Sequence, residues 1–95
     1  AYIFYLIESM TNAGMDLGLD ARQAEKLARQ TVIGAAALAE QQDDLSAEKL
    51  RENVTSRNGT TAAGLQVLMR DENGLKNLMR ETASAAAKRA RELAE

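Results

Sequence analysis

The sequence predicts an all-α domain of five helices that forms an intertwined homodimer, and two observations support this. Apolar residues recur along the 95-residue chain at the spacing of amphipathic helices, and no segment alternates in the manner of a strand. Alanine supplies a large share of the apolar residues, so large apolar side chains are scarce for a domain of this size. Because a monomer would have little to bury, a core shared between two chains is the expected remedy.

The first predicted helix opens the chain and ends near Gly18, which suits the left-handed turn that closes many helices. Its opposite face carries Glu8, Asn12 and Asp16, so the helix is amphipathic. The apolar stripe consists of Ile3, Leu6, Ile7, Met10, Ala13, Gly14 and Leu17.

The second helix is predicted to begin after Asp20, which acts as its N-cap, and to run to about Gln42. Its middle, from Thr31 to Ala39, is apolar or small on every side, as in a helix surrounded by neighbours. It could be an ordinary buried central helix or a helix threaded between two subunits. The scarcity of large apolar residues elsewhere favours the second interpretation.

Three further helical patterns complete the domain. A helix is predicted to begin at Ser46, and a fourth helix carries an apolar stripe made of Leu65, Leu68 and Met69. A polar break follows, in which Asn73 can cap the last helix. That last helix is predicted to bury Leu75, Leu78, Met79, Thr82, Ala86, Ala90 and Leu93.

The polar segment 54–61 separates the third and fourth helices and concentrates small hydrogen-bonding groups. Asn58-Gly59 is a turn dipeptide, and the hydroxyl of Thr60 or Thr61 is placed to act as an N-cap. The remaining free N–H groups at a helix start favour a small anion such as a carboxylate. The alternative is a turn and a cap that bind nothing.

Four segments resemble the pyrroline-5-carboxylate reductase family, in order and at the expected spacing. Residues 53–61 resemble its V-T-S-P-G-G-T-T signature, and residues 30–36 resemble its Q-T-V-x-G-A-A core. Residues 1–10 resemble the helix that follows its G-P-A-Y turn, and residues 12–19 resemble its D-A-G-V-x-L-G-L helix end. The family's usual Pro-Gly is Arg57-Asn58 here, a change expected to loosen the turn and to add a charge.

The resemblance implies reduction of 1-pyrroline-5-carboxylate to L-proline by hydride from NADP or NAD. It implies that residues 1–95 are the C-terminal dimerisation and substrate-binding domain, inactive alone, with the cofactor on an N-terminal Rossmann domain that this chain lacks. By the same resemblance Ser56, Gly59 and Thr60 hold the substrate carboxylate, and Val54 lines the apolar edge of the ring. Thr61 is the catalytic residue, whose hydroxyl hydrogen-bonds the ring nitrogen and stabilises the charge developing there.

Composition limits the other function classes. The chain has no cysteine and no histidine, so a disulfide framework or a thiolate metal site is excluded, which fits a reducing cytoplasm. A net charge of −2 with interspersed signs argues against a nucleic-acid partner, and no apolar run is long enough to span a membrane. The expected partners are a second copy, with larger oligomers left open, and a small imino acid. The alternative is a non-catalytic helical dimerisation module with a structural capping loop.

Overall fold

A computed structural model that describes residues 1–95 contains five α-helices and no strand, which confirms the predicted all-α class. The helices are α1 (Tyr2–Asp16), α2 (Ala21–Gln41), α3 (Ala47–Asn53), α4 (Thr60–Leu68) and α5 (Leu75–Ala94). None of them combines the length and the apolar character needed to cross a bilayer. The chain divides into two compact units, residues 1–50 and residues 51–95.

The turn between α1 and α2 follows the prediction closely. Gly18 has a φ of +108°, its N–H donates to the carbonyl of Met15, and the next amide, of Leu19, donates to the carbonyl of Gly14. These paired bonds form a Schellman motif, which satisfies carbonyls that the helix end would leave free. Asp20 caps α2, since its Oδ1 accepts the amide of Gln23 at 2.8 Å.

The first unit is built around the packing of α1 against α2. Ala24 and Ala28 are its only buried apolar side chains, at 3% and 4% exposure. A Cβ added to Gly14 would lie 3.2 Å from the Cβ of Ala24, so the two helices approach closely at that point. Small residues on both helices therefore set the spacing of this pair.

The middle of α2 is not enclosed within the single chain. Ile33 is 52% exposed, and a Cβ added to Gly34 would meet no atom within 4 Å. This segment was predicted to be surrounded by neighbours on every side. Within the single chain only Val32 and Leu38 of this segment are half-buried, and residues 33–37 are exposed, so the interpretation of α2 as an ordinary buried central helix is wrong for the isolated chain.

The second unit contains the loop, α4 and α5. Gly74 is buried at the start of α5, and a Cβ added there would lie 2.2 Å from the carbonyl oxygen of Arg70. The apolar stripe of α5 was predicted to be buried, but in the single chain its large side chains are exposed. The exposed fractions lie between 45% and 69% for Leu75, Leu78, Met79 and Leu93.

The predicted cap of α5 is also incorrect. Gly74, not Asn73, is the N-cap residue, and no side chain bonds the first turn of the helix. Asn73 instead has a φ of +59°, so it supplies the left-handed residue of the turn before the cap. Asparagine is favourable both as an N-cap residue and as the positive-φ residue of a turn. In this structure the backbone places Asn73 in the second role.

Candidate functional site

Hydrogen bonds close α3 at both ends, and its C-terminal end leads into the loop that connects α3 to α4. Ser46 caps α3, because its Oγ accepts the amide of Lys49 at 3.0 Å. At the other end the amides of Val54 and Thr55 donate to the carbonyls of Arg51 and Glu52. The hydroxyl of Thr55 donates to the carbonyl of Arg51 at 2.6 Å, so Thr55 is tied to α3.

Residues 56–59 form a tight turn that connects this helix end to α4. The amide of Gly59 donates to the carbonyl of Ser56 at 3.1 Å, and Asn58, the third residue of the turn, has a φ of +60°. A positive φ at that position alone is the feature of a type II turn. The turn is therefore closed by a hydrogen bond with Arg57 and Asn58 in its centre, and the loosening expected from these two residues stays a prediction.

The predicted threonine cap of α4 is wrong. Gly59 is the N-cap residue, in an extended conformation with φ −89° and ψ −176°, and no side chain hydrogen-bonds the first turn. Thr60 and Thr61 are the first two residues of the helix itself. The turn ends one residue earlier than the threonine hydroxyls suggested, so neither threonine has the extended backbone that a cap requires.

An uncapped helix start leaves main-chain donors free. The amides of Thr60, Thr61 and Ala62 have no acceptor within the chain, whereas the amide of Ala63 already donates to the carbonyl of Gly59. These three N–H groups carry the positive end of the helix dipole. Their arrangement can hold one small anion.

The residues that the family resemblance predicts to hold the carboxylate do not all have a free main-chain amide. The amide of Gly59 is used to close the turn with Ser56, so it is not free for a ligand. The free donors extend instead to Ala62, a residue that sequence reasoning did not single out. The signal that could have found it is general, since the first amides of any helix lack intrahelical partners.

Exposure and charge at the loop also bear on its chemistry. Val54 is 63% exposed, and Ser56, Thr60 and Thr61 are exposed as well. Arg57 is exposed and unpaired, because the two ion pairs of the chain join Arg29 to Glu25 and Arg89 to Glu92. An unpaired guanidinium beside free helix amides raises the positive potential around the turn.

A groove in the same unit runs beside the loop. It has a volume of about 430 Å³ and is mostly apolar, and Thr55, Ala62 and Leu65 are among its lining residues. The predicted site residues do not line it. Within one chain, the loop thus presents free donors at the surface and no enclosed pocket around them.

Comparison with known proteins identifies the chain. Residues 1–93 match the protein family described as pyrroline-5-carboxylate reductase dimerisation. The chain belongs to this family. The match covers nearly the whole chain and agrees with the resemblance of the four sequence segments.

Individual relatives agree with this assignment. Over 95 residues the chain is 43% identical to pyrroline-5-carboxylate reductase of Pseudomonas aeruginosa and 39% identical to pyrroline-5-carboxylate reductase 1 of Bacillus subtilis. Both matches span 100% of this chain, but only 34% of the Pseudomonas aeruginosa protein and 31% of the Bacillus subtilis protein. The dimerisation-family chain therefore spans about a third of the curated relatives that it matches.

A solved structure shares the fold. The chain superposes on Plasmodium falciparum pyrroline carboxylate reductase, whose crystal structure has NADP bound, with a TM-score of 0.73 and 31% sequence identity. The superposition covers 96% of this chain and 32% of that chain. The helical fold described above is thus the fold of one third of that reductase.

Proposed function

We propose that the chain is the dimerisation and substrate-binding part of a pyrroline-5-carboxylate reductase, an NAD(P)H-dependent enzyme that makes L-proline. The observation that carries the proposal is the family match over residues 1–93. The uncapped start of α4, with its three free amides, supports a role for the same segment in holding the substrate carboxylate.

In this proposal the substrate binds with its carboxylate at the α4 start. The amides of Thr60, Thr61 and Ala62 donate to the carboxylate, with Ser56 beside them, and Arg57 adds an attractive charge. The hydroxyl of Thr61 donates a hydrogen bond to the ring nitrogen, which takes its proton from water as hydride reaches the neighbouring carbon. A donor aimed at that atom stabilises the charge that develops there in the transition state.

Val54 and Gly59 have supporting roles in this arrangement. Val54 offers an exposed apolar side chain to the edge of the ring. Gly59 closes the turn with Ser56 and serves as the N-cap, so its role is to shape the loop more than to bind the carboxylate. The loop is exposed in one chain, so in this proposal a partner surface completes the pocket.

The nicotinamide cofactor belongs to another part of the enzyme in this proposal. Dinucleotide sites of the Rossmann type need a glycine-rich turn between a strand and a helix, and the described residues contain five helices and no strand. These residues do not fit NADP or NAD. We place the hydride donor on an N-terminal nucleotide-binding domain and the assembled enzyme in the cytoplasm, as for a biosynthetic reductase.

The partner that we propose is a second copy of the chain. The family that residues 1–93 match is described by its dimerisation, which supports an interface between two copies. The exposed faces of α2 and α5, which include Ile33, Leu78 and Met79, supply the apolar surface for it.

Two measurements test the proposal. Sedimentation velocity at micromolar concentration is expected to show a dimer, and a monomeric, cooperatively folded species contradicts the shared core. A titration of the isotope-labelled chain with L-proline is expected to give saturable amide shifts confined to residues 56–62. Shifts that do not saturate, or that are absent at tens of millimolar proline, contradict the carboxylate site.

A further inference from the structure

The backbone of Asn58 has an unusual conformation in the centre of the loop. Its φ is +60°, and the only other non-glycine residue with a positive φ is Asn73, at +59°. The left-handed region is unfavourable for most L-residues because the Cβ approaches the following carbonyl oxygen, and asparagine tolerates it better than most. The identity of residue 58 therefore governs how readily this turn forms.

The conformation of Asn58 determines where the chain leaves the turn. It allows the amide of Gly59 to reach the carbonyl of Ser56 at 3.1 Å, after which Gly59 becomes the extended cap residue of α4. A Cβ added to Gly59 would lie 3.3 Å from both the Cβ and the oxygen of Ser56. The turn is thus closely packed against itself, and a change at residue 58 would move Ser56 relative to the first turn of α4.

The side chain of Asn58 takes no part in holding the loop. It is exposed and makes no hydrogen bond within the chain, in contrast with Thr55, whose hydroxyl bonds the carbonyl of Arg51. The contribution of Asn58 is therefore made through its backbone. A residue that adopts a positive φ with equal ease should replace it without loss.

We propose that Asn58 is a positioning residue for the substrate carboxylate. Its left-handed backbone keeps Ser56 and the free amides at the start of α4 in one orientation, so that a carboxylic acid meets them already arranged. This inference rests on the proposed function, because it concerns the same loop and the same small carboxylic acid.

The test compares three substitutions in the isotope-labelled 95-residue chain, each titrated with L-proline and each melted thermally. Asn58→Ala keeps the length of the loop but disfavours the positive φ. Asn58→Gly removes the side chain and permits the positive φ. Asn73→Ala is the matched control, because it imposes the same backbone penalty at a turn outside the proposed site.

The expected result is selective. Asn58→Ala should weaken proline binding about fivefold, because the competent form of the loop becomes a minor population. Asn58→Gly should bind proline as the unchanged chain does. Asn73→Ala should lower the melting temperature about as much as Asn58→Ala but leave proline affinity unchanged. If Asn58→Ala does not fold, Asn58→Ser serves instead, because serine disfavours the positive φ without adding a charge, and it is expected to weaken proline binding as well.

The other outcomes separate the two proposals. If the unchanged chain binds proline and Asn58→Ala binds it equally well, the positioning role is wrong while the proposed function stands. The same conclusion follows if Asn58→Gly loses binding, because the side chain and not the backbone then matters. If the unchanged chain gives no saturable shifts, the carboxylate site itself is wrong and the positioning role falls with it.

Discussion

Replacement of Thr61 by alanine distinguishes a binding loop from a purely structural one. Thr61 is the second residue of α4, is exposed, and makes no capping hydrogen bond. Alanine has a higher helix propensity than threonine, so we expect the free energy of unfolding to stay unchanged or to rise by up to about 0.5 kcal/mol. A lost N-cap would instead lower it by about 1 kcal/mol, which for a domain of this size corresponds to a melting temperature about 4–8 °C lower.

The effect on catalysis should be much larger than the effect on stability. If the Thr61 hydroxyl donates to the ring nitrogen as it becomes charged, its removal should cost about 1.5–3 kcal/mol of transition-state stabilisation. That corresponds to a loss of about 10- to 150-fold in kcat/KM. The measurement is reduction of 1-pyrroline-5-carboxylate by a reductase that contains this chain, followed by NADPH absorbance.

Two further variants serve as controls for this prediction. Thr60→Ala keeps the main-chain N–H that is proposed to bind the carboxylate, so both stability and kcat/KM should change little. Thr61→Ser restores a hydroxyl and should recover most of the rate. Melting temperatures are compared at one chain concentration, because the stability of a dimer depends on concentration. A Thr61→Ala variant that melts several degrees lower and reduces the substrate at the normal rate would refute the reasoning.

Three more predictions concern other positions. Gly74→Ala places a Cβ 2.2 Å from the carbonyl oxygen of Arg70, so we expect the free energy of unfolding, measured by chemical denaturation, to fall by at least about 2–3 kcal/mol. An unchanged denaturation midpoint would contradict the described backbone path between α4 and α5. Asp20→Ala removes the acceptor of the Gln23 amide and should lower the free energy of unfolding by about 1 kcal/mol. Asp20→Asn keeps a side-chain oxygen and should cost only a small part of this. Equal losses in the two variants would argue against a capping role. Arg57→Ala should raise the KM for the imino-acid substrate at low ionic strength and have little effect at high salt, because salt screens an exposed charge. A KM increase that persists at high salt would point to direct contact between Arg57 and the substrate instead.

The positions of the helices could be predicted from the sequence because their limits are encoded locally. Gly18 ends α1 with a positive φ, and Asp20 and Ser46 cap α2 and α3 through side chains that reach an amide three residues ahead. Such signals depend on a few neighbouring residues and need no knowledge of the rest of the fold. The four family-like segments add the family, and the match over residues 1–93 confirms it.

The details of the candidate site could be predicted only in part. The sequence indicated a turn at Asn58-Gly59 and free amides behind it, and both are present. It did not determine that Asn58 alone takes the positive φ, that Gly59 is the cap, or that the amide of Gly59 is already used. Each of these depends on the φ and ψ of a single residue, and the residue types present permit more than one solution.

The sequence by itself determined the helical class, the helix limits set by local capping, and the family. The tertiary structure decided which faces are covered. Gly14 meets Ala24 in a close helix contact, and Gly74 fits where no Cβ can be placed, while apolar faces of equal periodicity on α2 and α5 remain exposed in the single chain. Periodicity identifies an apolar face, but which surface covers that face depends on contacts between residues far apart in sequence or in another chain.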